Sequence, residues 1–186
     1  MGNRDDRGGV KDPISLLAEC RLCPRGCGVD RLAGRTGYCG VAAELLVAHW
    51  GPHLGEEPPI SGECGSGNIF FSSCNLRCLF CQNYQISHST KGRAVPAGEL
   101  ADIFFRLASL GCHNINLVSP TPYIPLISEA VARAKQGGIG IPFVYNSNGY
   151  DAVEALAMLE GLNDIYLPDF KYWSAGVALG RSVVPA

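Results

Sequence analysis

Cys74-Asn75-Leu76-Arg77-Cys78-Leu79-Phe80-Cys81 is the stretch on which the reading of this chain turns. Its three cysteines are spaced C-x3-C-x2-C, directly after an apolar run, Ile69-Phe70-Phe71, that reads as the end of a buried strand over about residues 68–72. Three thiolates in so short a loop can wrap one corner of a cubic iron–sulfur cluster. An ordinary cluster takes four cysteines. Three leave one iron without a protein ligand, and an open metal position is where substrate or cosubstrate binds. The competing reading is a structural zinc knot, but such knots usually pair C-x2-C with a second pair.

Downstream of this loop the pattern alternates between strand and helix. Leu100, Ile103, Phe104, Leu107 and Leu110 form one helix face, ended by Gly111. Asn114–Val118 reads as a strand, and Pro120-Thr121-Pro122 turns the chain into a second helix with Ile124, Ile127, Ala130, Val131 and Ala134 inward. Ile141–Tyr145 is a third strand, and Asp151 is placed to cap a third helix through Leu159. Asp164–Leu167 is a fourth strand. Repeated β-α-β units imply a parallel sheet, so the expected fold is α/β, a partial (β/α) barrel with about four parallel strands. Chemistry in such sheets gathers at the C-terminal ends of the strands. The cysteine loop, the turn at Ser119–Pro122, the turn at Asn146–Gly149 and the turn at Asp169–Lys171 all fall at that edge.

Upstream lies a small cysteine-rich module, Cys20-x2-Cys23-Pro24-x2-Cys27-x11-Cys39. Four cysteines suit tetrahedral zinc or a complete iron–sulfur cluster, and equally a module of reduced thiols. The division is therefore a flexible tail over 1–19, the cysteine-rich module over 20–60, and a core domain over 61–186. Residues 41–48 read as a short strand or helix. His49, Trp50, His53, Glu56 and Glu57 read as a polar loop beside the site. Cys64 reads as a spare thiol and Cys112 as a buried small hydrophobe.

Composition narrows the classes. The chain has 186 residues, 47% hydrophobic and 17% charged, with a net charge of −2. That is the profile of a globular domain. No basic excess points to nucleic acid or a lipid surface, and no apolar run is long enough to span a bilayer. The charged start, Met1 to Arg7, has no apolar segment after it. Nine cysteines at metal-ligand spacings then read as reduced thiols in a cytoplasmic protein.

The residues Leu22-Cys23-Pro24-Arg25-x-Cys27, Gly55-Glu56-Glu57-Pro58-Pro59-Ile60-Ser61-Gly62, Cys74 to Cys81 with Gln82-Asn83, Asn148-Gly149 and Asp169-Phe170-Lys171 carry a resemblance. The chain resembles the radical S-adenosylmethionine (radical SAM) proteins related to the pyruvate formate-lyase activating enzyme, in the branch with a cysteine-rich N-terminal extension. The resemblance runs from about Cys20 to Lys171. It implies a [4Fe–4S] cluster on Cys74, Cys78 and Cys81, with S-adenosylmethionine chelating the remaining iron. It sets Phe80 against the adenine and makes Asn148, Asp169 and Lys171 contacts to the cosubstrate. Where the family has Gly-Gly-Glu this chain has Ser119-Pro120-Thr121, so Thr121 Oγ or backbone carbonyls stand in. It further implies reductive cleavage to a 5′-deoxyadenosyl radical, a flavodoxin- or ferredoxin-type reductant and a protein substrate. Such barrels have six strands and only four are legible here, so a barrel unfinished at its C-terminal side is expected. A truncated barrel that keeps the cluster as an electron carrier is the alternative function, and a zinc-binding structural protein is the third.

Overall fold

Six strands form one sheet: β1 (Leu46–His53), β2 (Ser66–Phe71), β3 (Arg93–Ala94), β4 (Ile115–Val118), β5 (Phe143–Ser147) and β6 (Ile165–Pro168), in the order β3-β1-β2-β4-β5-β6. The computed structural model describes residues 12–182; residues 1–11 of the expected tail, and residues 183–186, lie outside the described residues. Within that tail Pro13–Leu17 make a turn of 3-10 helix, capped by the Asp12 side chain, with Leu17 buried.

β2, β4, β5 and β6 run parallel, which are the four strands expected. The other two come from an unexpected source. β1 pairs antiparallel with β2, and β3 antiparallel with β1. Residues 49–53 are therefore strand, not the polar loop their composition suggests: Trp50 pairs with Ile69 and Pro52 with Gly67. β3 covers only Leu46 and Val47 of β1, so Pro52 sits where the sheet edge is open and its missing N–H costs no ladder bond.

Between the strands lie α3 (Ala97–Ser109) and α4 (Ile124–Gln136), with shorter helices α1 (Pro58–Ser61), α2 (Tyr84–Ser87), α5 (Val153–Ala157) and α6 (Ala175–Ser182). Leu100, Phe104 and Leu107 of α3 and Ile127 and Val131 of α4 share one core with Ile69, Ile115, Leu117 and Phe143 of the sheet. Phe104 meets Phe143 edge-on at 5.1 Å between ring centroids. Cys112 joins this core at 3% exposure, as a small hydrophobe would. The alternate positions of the strands point to the other face by the pleat. There Asn68, Asn116, Val144 and Ile165 form one transverse row, and Phe70, Val118, Asn146 and Leu167 the next. This second row ends the four parallel strands at one height, so the segments that follow them share one edge.

Two local expectations are corrected. Asp151 does not cap α5, whose N-cap is Ala152 without a side-chain bond. It instead accepts the hydroxyls of Thr121 (2.6 Å), Tyr145 (2.8 Å) and Ser147 (2.7 Å). Residues 175–182, where only an unfinished C-terminal side is expected, form α6. This helix packs Ala178 against Cys74, Leu76 and Cys78.

Candidate active site at the cysteine loop

The cysteine loop leaves β2 through Ser72 and Ser73 and is fixed from five directions. Tyr123 Oη donates to Ser72 O at 2.8 Å, and Ser72 Oγ to Lys91 O at 2.6 Å. The Asn75 amide donates to Tyr150 O at 2.7 Å and accepts from Asn148 Nδ2 at 2.7 Å. Arg25 Nε donates to Asn75 O at 2.6 Å, and Leu79 N to Arg181 O at 3.0 Å. Ser73 and Arg77 are held at positive φ, +67° and +55°, and Ser119 at +58°. Each costs on the order of 1–2 kcal/mol for a residue with a Cβ, so packing must over-determine the loop. Strain of this kind clusters at ligand sites.

Cys74, Cys78 and Cys81 all line one cavity of about 360 Å³ at the C-terminal edge of the sheet. Phe80, Asn148, Asp169 and Lys171 line it too. Three strand ends, those of β2, β5 and β6, thus deliver to one space seven of the eight residues singled out in the sequence. Lys171 and Asp169 form a close ion pair at its rim. Phe80 is 56% exposed and meets Tyr172 edge-on at 5.8 Å.

Thr121 is placed elsewhere. It is buried, its hydroxyl is taken by Asp151, and it lines a separate small space beside the N-terminal cysteines. Ser119, two residues earlier, is the member of that turn that reaches the main cavity.

Burial raises the Cys74 thiol above its ordinary value, against hydrogen bonds from the Arg77 and Leu76 backbone and from Asn148 that lower it. Tyr172 is pushed up to about 12, chiefly by burial and then by the neighbouring Cys78, so its hydroxyl keeps its proton.

The sequence did not single out Glu56 as a site residue. It lines the cavity floor and accepts from Asn68 Nδ2 at 2.7 Å, while Asn116 Nδ2 donates to Asn68 Oδ1 at 3.1 Å. A carboxylate accepts only, so Glu56 sets the direction of both amides. The ladder ends at Asn116 Oδ1, a buried acceptor without a partner among the described residues. The Gly55–Gly62 motif was the available signal, but nothing in it shows that Glu56 turns into the barrel.

Cys20, Cys23, Cys27 and Cys39 come together around a second, much smaller space of about 20 Å³. Burial raises the Cys23 and Cys39 thiols. Arg31 lies at its wall, 1% exposed, donating to Pro122 O (2.7 Å) and Ala42 O (2.6 and 2.9 Å), with Cys20 Sγ at 3.8 Å from Nη1. This buried cation meets carbonyls and sulfur, and no carboxylate is among these partners. Among the described residues, no three His, Cys, Asp or Glu side chains close on a single-ion site.

Comparison with known families matches residues 68–175 to the Radical SAM superfamily, more than half of the chain. The chain belongs to the radical SAM superfamily. Membership implies a [4Fe–4S] cluster and S-adenosylmethionine. The residues present fit that group: three thiols without a fourth on one loop, facing one cavity. A cluster takes one thiolate per iron, so its ligands surround a shared space instead of closing on one ion.

The chain is also similar to the uncharacterized protein MJ0674 of Methanocaldococcus jannaschii, at 32% identity over 167 residues, 85% of this chain. It spans 47% of that relative's length. Among the described residues no helix is long and apolar enough to cross a membrane.

Proposed function

We propose that Cys74, Cys78 and Cys81 hold a [4Fe–4S] cluster and that the adjoining cavity binds S-adenosylmethionine for reductive cleavage. The observation that carries this reading is that the three thiols and Asn148, Asp169 and Lys171 line one cavity. When bound, the cluster supplies one electron to the sulfonium, whose C5′–S bond breaks to give methionine and a 5′-deoxyadenosyl radical for hydrogen abstraction.

The chain's own residues bind and orient. Asp169 presents a carboxylate suited to the methionyl ammonium, and Lys171 an ammonium suited to its carboxylate, as charge-assisted pairs. Asn148 and Ser119 offer amide and hydroxyl groups to the polar end of the ligand. Phe80 offers a ring face for the adenine. Phe70 and Val118 make an apolar wall that excludes water from the reacting carbon.

Within the superfamily we favour a role like that of the glycyl-radical activating enzymes, with a glycine Cα–H of a partner protein as hydrogen donor and a flavodoxin or ferredoxin as reductant, in the cytoplasm. The motifs from Cys20 to Lys171 support it. A second metal centre on Cys20, Cys23, Cys27 and Cys39 is supported by Arg31, whose buried charge a metal–thiolate group would balance.

The test is anaerobic reconstitution followed by EPR. A reduced-cluster signal that changes on adding S-adenosylmethionine, with 5′-deoxyadenosine formed under dithionite, is expected. Cys74→Ala, Cys78→Ala and Cys81→Ala should each lose that signal, while Cys64→Ala and Cys112→Ala keep it. A signal indifferent to S-adenosylmethionine would favour an electron carrier instead. Zinc without iron would favour a structural site.

A further inference from the structure

Each of the three loop thiols receives one side-chain hydrogen bond, and each donor comes from a different part of the fold. Asn148 Nδ2, beyond β5, lies 3.2 Å from Cys74 Sγ. Ser182 Oγ, in α6, lies 3.2 Å from Cys78 Sγ. Ser87 Oγ, in α2, lies 3.2 Å from Cys81 Sγ. We propose that Asn148, Ser182 and Ser87 are a set of positioning donors that raise the reduction potential of the cluster, with Ser182 tying that potential to the docking of α6. The proposal rests on the reading that this loop ligates the cluster.

The physical reason is charge. Reduction adds an electron that is shared onto the ligating sulfurs. An N–H or O–H aimed at a sulfur therefore stabilises the reduced form more than the oxidised one. The donors are themselves oriented. Tyr172 Oη is hydrogen-bonded to Ser182 Oγ, and as a donor it leaves the serine proton for Cys78. His88 meets Ser87 Oγ through Nδ1 at 3.0 Å and Arg77 O through Nε2 at 3.1 Å. A carbonyl only accepts, so Nε2 donates to Arg77 O and holds the ring beside Ser87. Asn148 Nδ2 also donates to Asn75 Oδ1, which fixes the amide's orientation. Ser182 and Ser87 are both buried, at 1% and 4% exposure, so water does not replace either donor readily.

α6 adds a further link. Ser182 O accepts from Arg25 Nη2 (3.0 Å) and from Tyr38 Oη (3.2 Å), so the helix end is clamped to the N-terminal module. The donor to Cys78 is in place only while that clamp holds.

The experiment is an EPR-monitored redox titration of the reconstituted chain and of Ser182→Ala and Ser87→Ala, with iron and sulfide measured on each sample. Both variants are expected to keep the iron of the wild type and to be harder to reduce. The expected size is about a tenfold lower reduced-to-oxidised ratio at a fixed potential, ~59 mV for one electron. Ser182→Thr and Ser87→Thr, which keep a hydroxyl, are expected to recover the wild-type midpoint. Midpoints of both alanine variants equal to wild type at full iron content would overturn the proposal while leaving the cluster assignment standing. Absence of any cluster in the wild-type chain would overturn both.

Discussion

Asp151 shows how much one residue can hold at this site's edge. Its carboxylate collects the hydroxyls of Thr121, Tyr145 and Ser147, from the β4 turn and from β5. Thr121, Tyr145 and Ser147 are all buried, so removing the acceptor strands three buried donors. Orphaned buried polar groups cost about 1–3 kcal/mol each. Asp151→Ala should therefore lower unfolding free energy by about 3 kcal/mol, read from the midpoint of urea unfolding. Gly149 bears on the Asp169–Lys171 segment. Its φ is +71°, and a Cβ there would stand 3.0 Å from Asp169 O. Gly149→Ala should cost about 1–2 kcal/mol for the left-handed backbone. It should also push the Asp169–Lys171 segment outward. Calorimetric titration with S-adenosylmethionine should show weaker binding at unchanged iron content, whereas unchanged affinity would separate that segment from the cosubstrate.

At the scale of elements, the cysteine loop is a junction between the N-terminal module, β5 and α6. Arg25 joins the loop to the module and to α6: it donates to Asn75 O and to Ser182 O, and its guanidinium lies 3.4 Å from the centroid of the Tyr38 ring. A stacked, hydrogen-bonded arginine contributes through packing as well as charge. Arg25→Ala should release α6 before the sheet is disturbed. Limited proteolysis should then cut within residues 172–182 at a faster rate, with far-UV circular dichroism close to wild type. Arg25→Lys should restore little, because an ammonium cannot fork between two carbonyls and stack on a ring.

For the whole molecule, the buried phenols set how stability depends on pH. Burial raises Tyr123 and Tyr145 above the ordinary tyrosine value, and the Asp151 charge adds to the rise at Tyr145. A group that ionises at higher pH in the folded chain binds its proton more tightly there than in the unfolded chain. Its contribution is fully present below the unfolded value of about 10. It is lost as pH rises from there toward the folded value. Unfolding midpoints measured between neutral pH and pH 11 should stay level and then fall above about pH 10. Tyr145→Phe should lower stability at neutral pH through its lost hydrogen bond yet flatten the alkaline fall. An equally steep fall in that variant would remove Tyr145 from the account.

The four parallel strands and the two long helices could be read from the chain because their signals are local. Apolar residues recur with the period of the element, and glycine and proline mark the ends. Cys74, Cys78 and Cys81 were legible for the same reason, being eight residues from first to last. Asn148, Asp169 and Lys171 were found through short motifs, and the strand register then placed them at one edge with Cys74. What pairing across long separations decides was not legible. β1 became strand only by pairing with β2, since His49, Gly51, Pro52 and His53 carry little strand preference of their own. Thr121 and Ser119 sit on one turn, and backbone direction alone sent one to Asp151 and the other to the cavity. Glu56, Ser87 and Ser182 lie on short helices or loops with no periodic signature. Their relation to the site exists only as side-chain contacts, to Asn68, Cys81 and Cys78. Local pattern thus determined which segments are strands and which loop gathers the three cysteines. Long-range packing decided which side chains surround it, because those contacts join residues up to 104 positions apart.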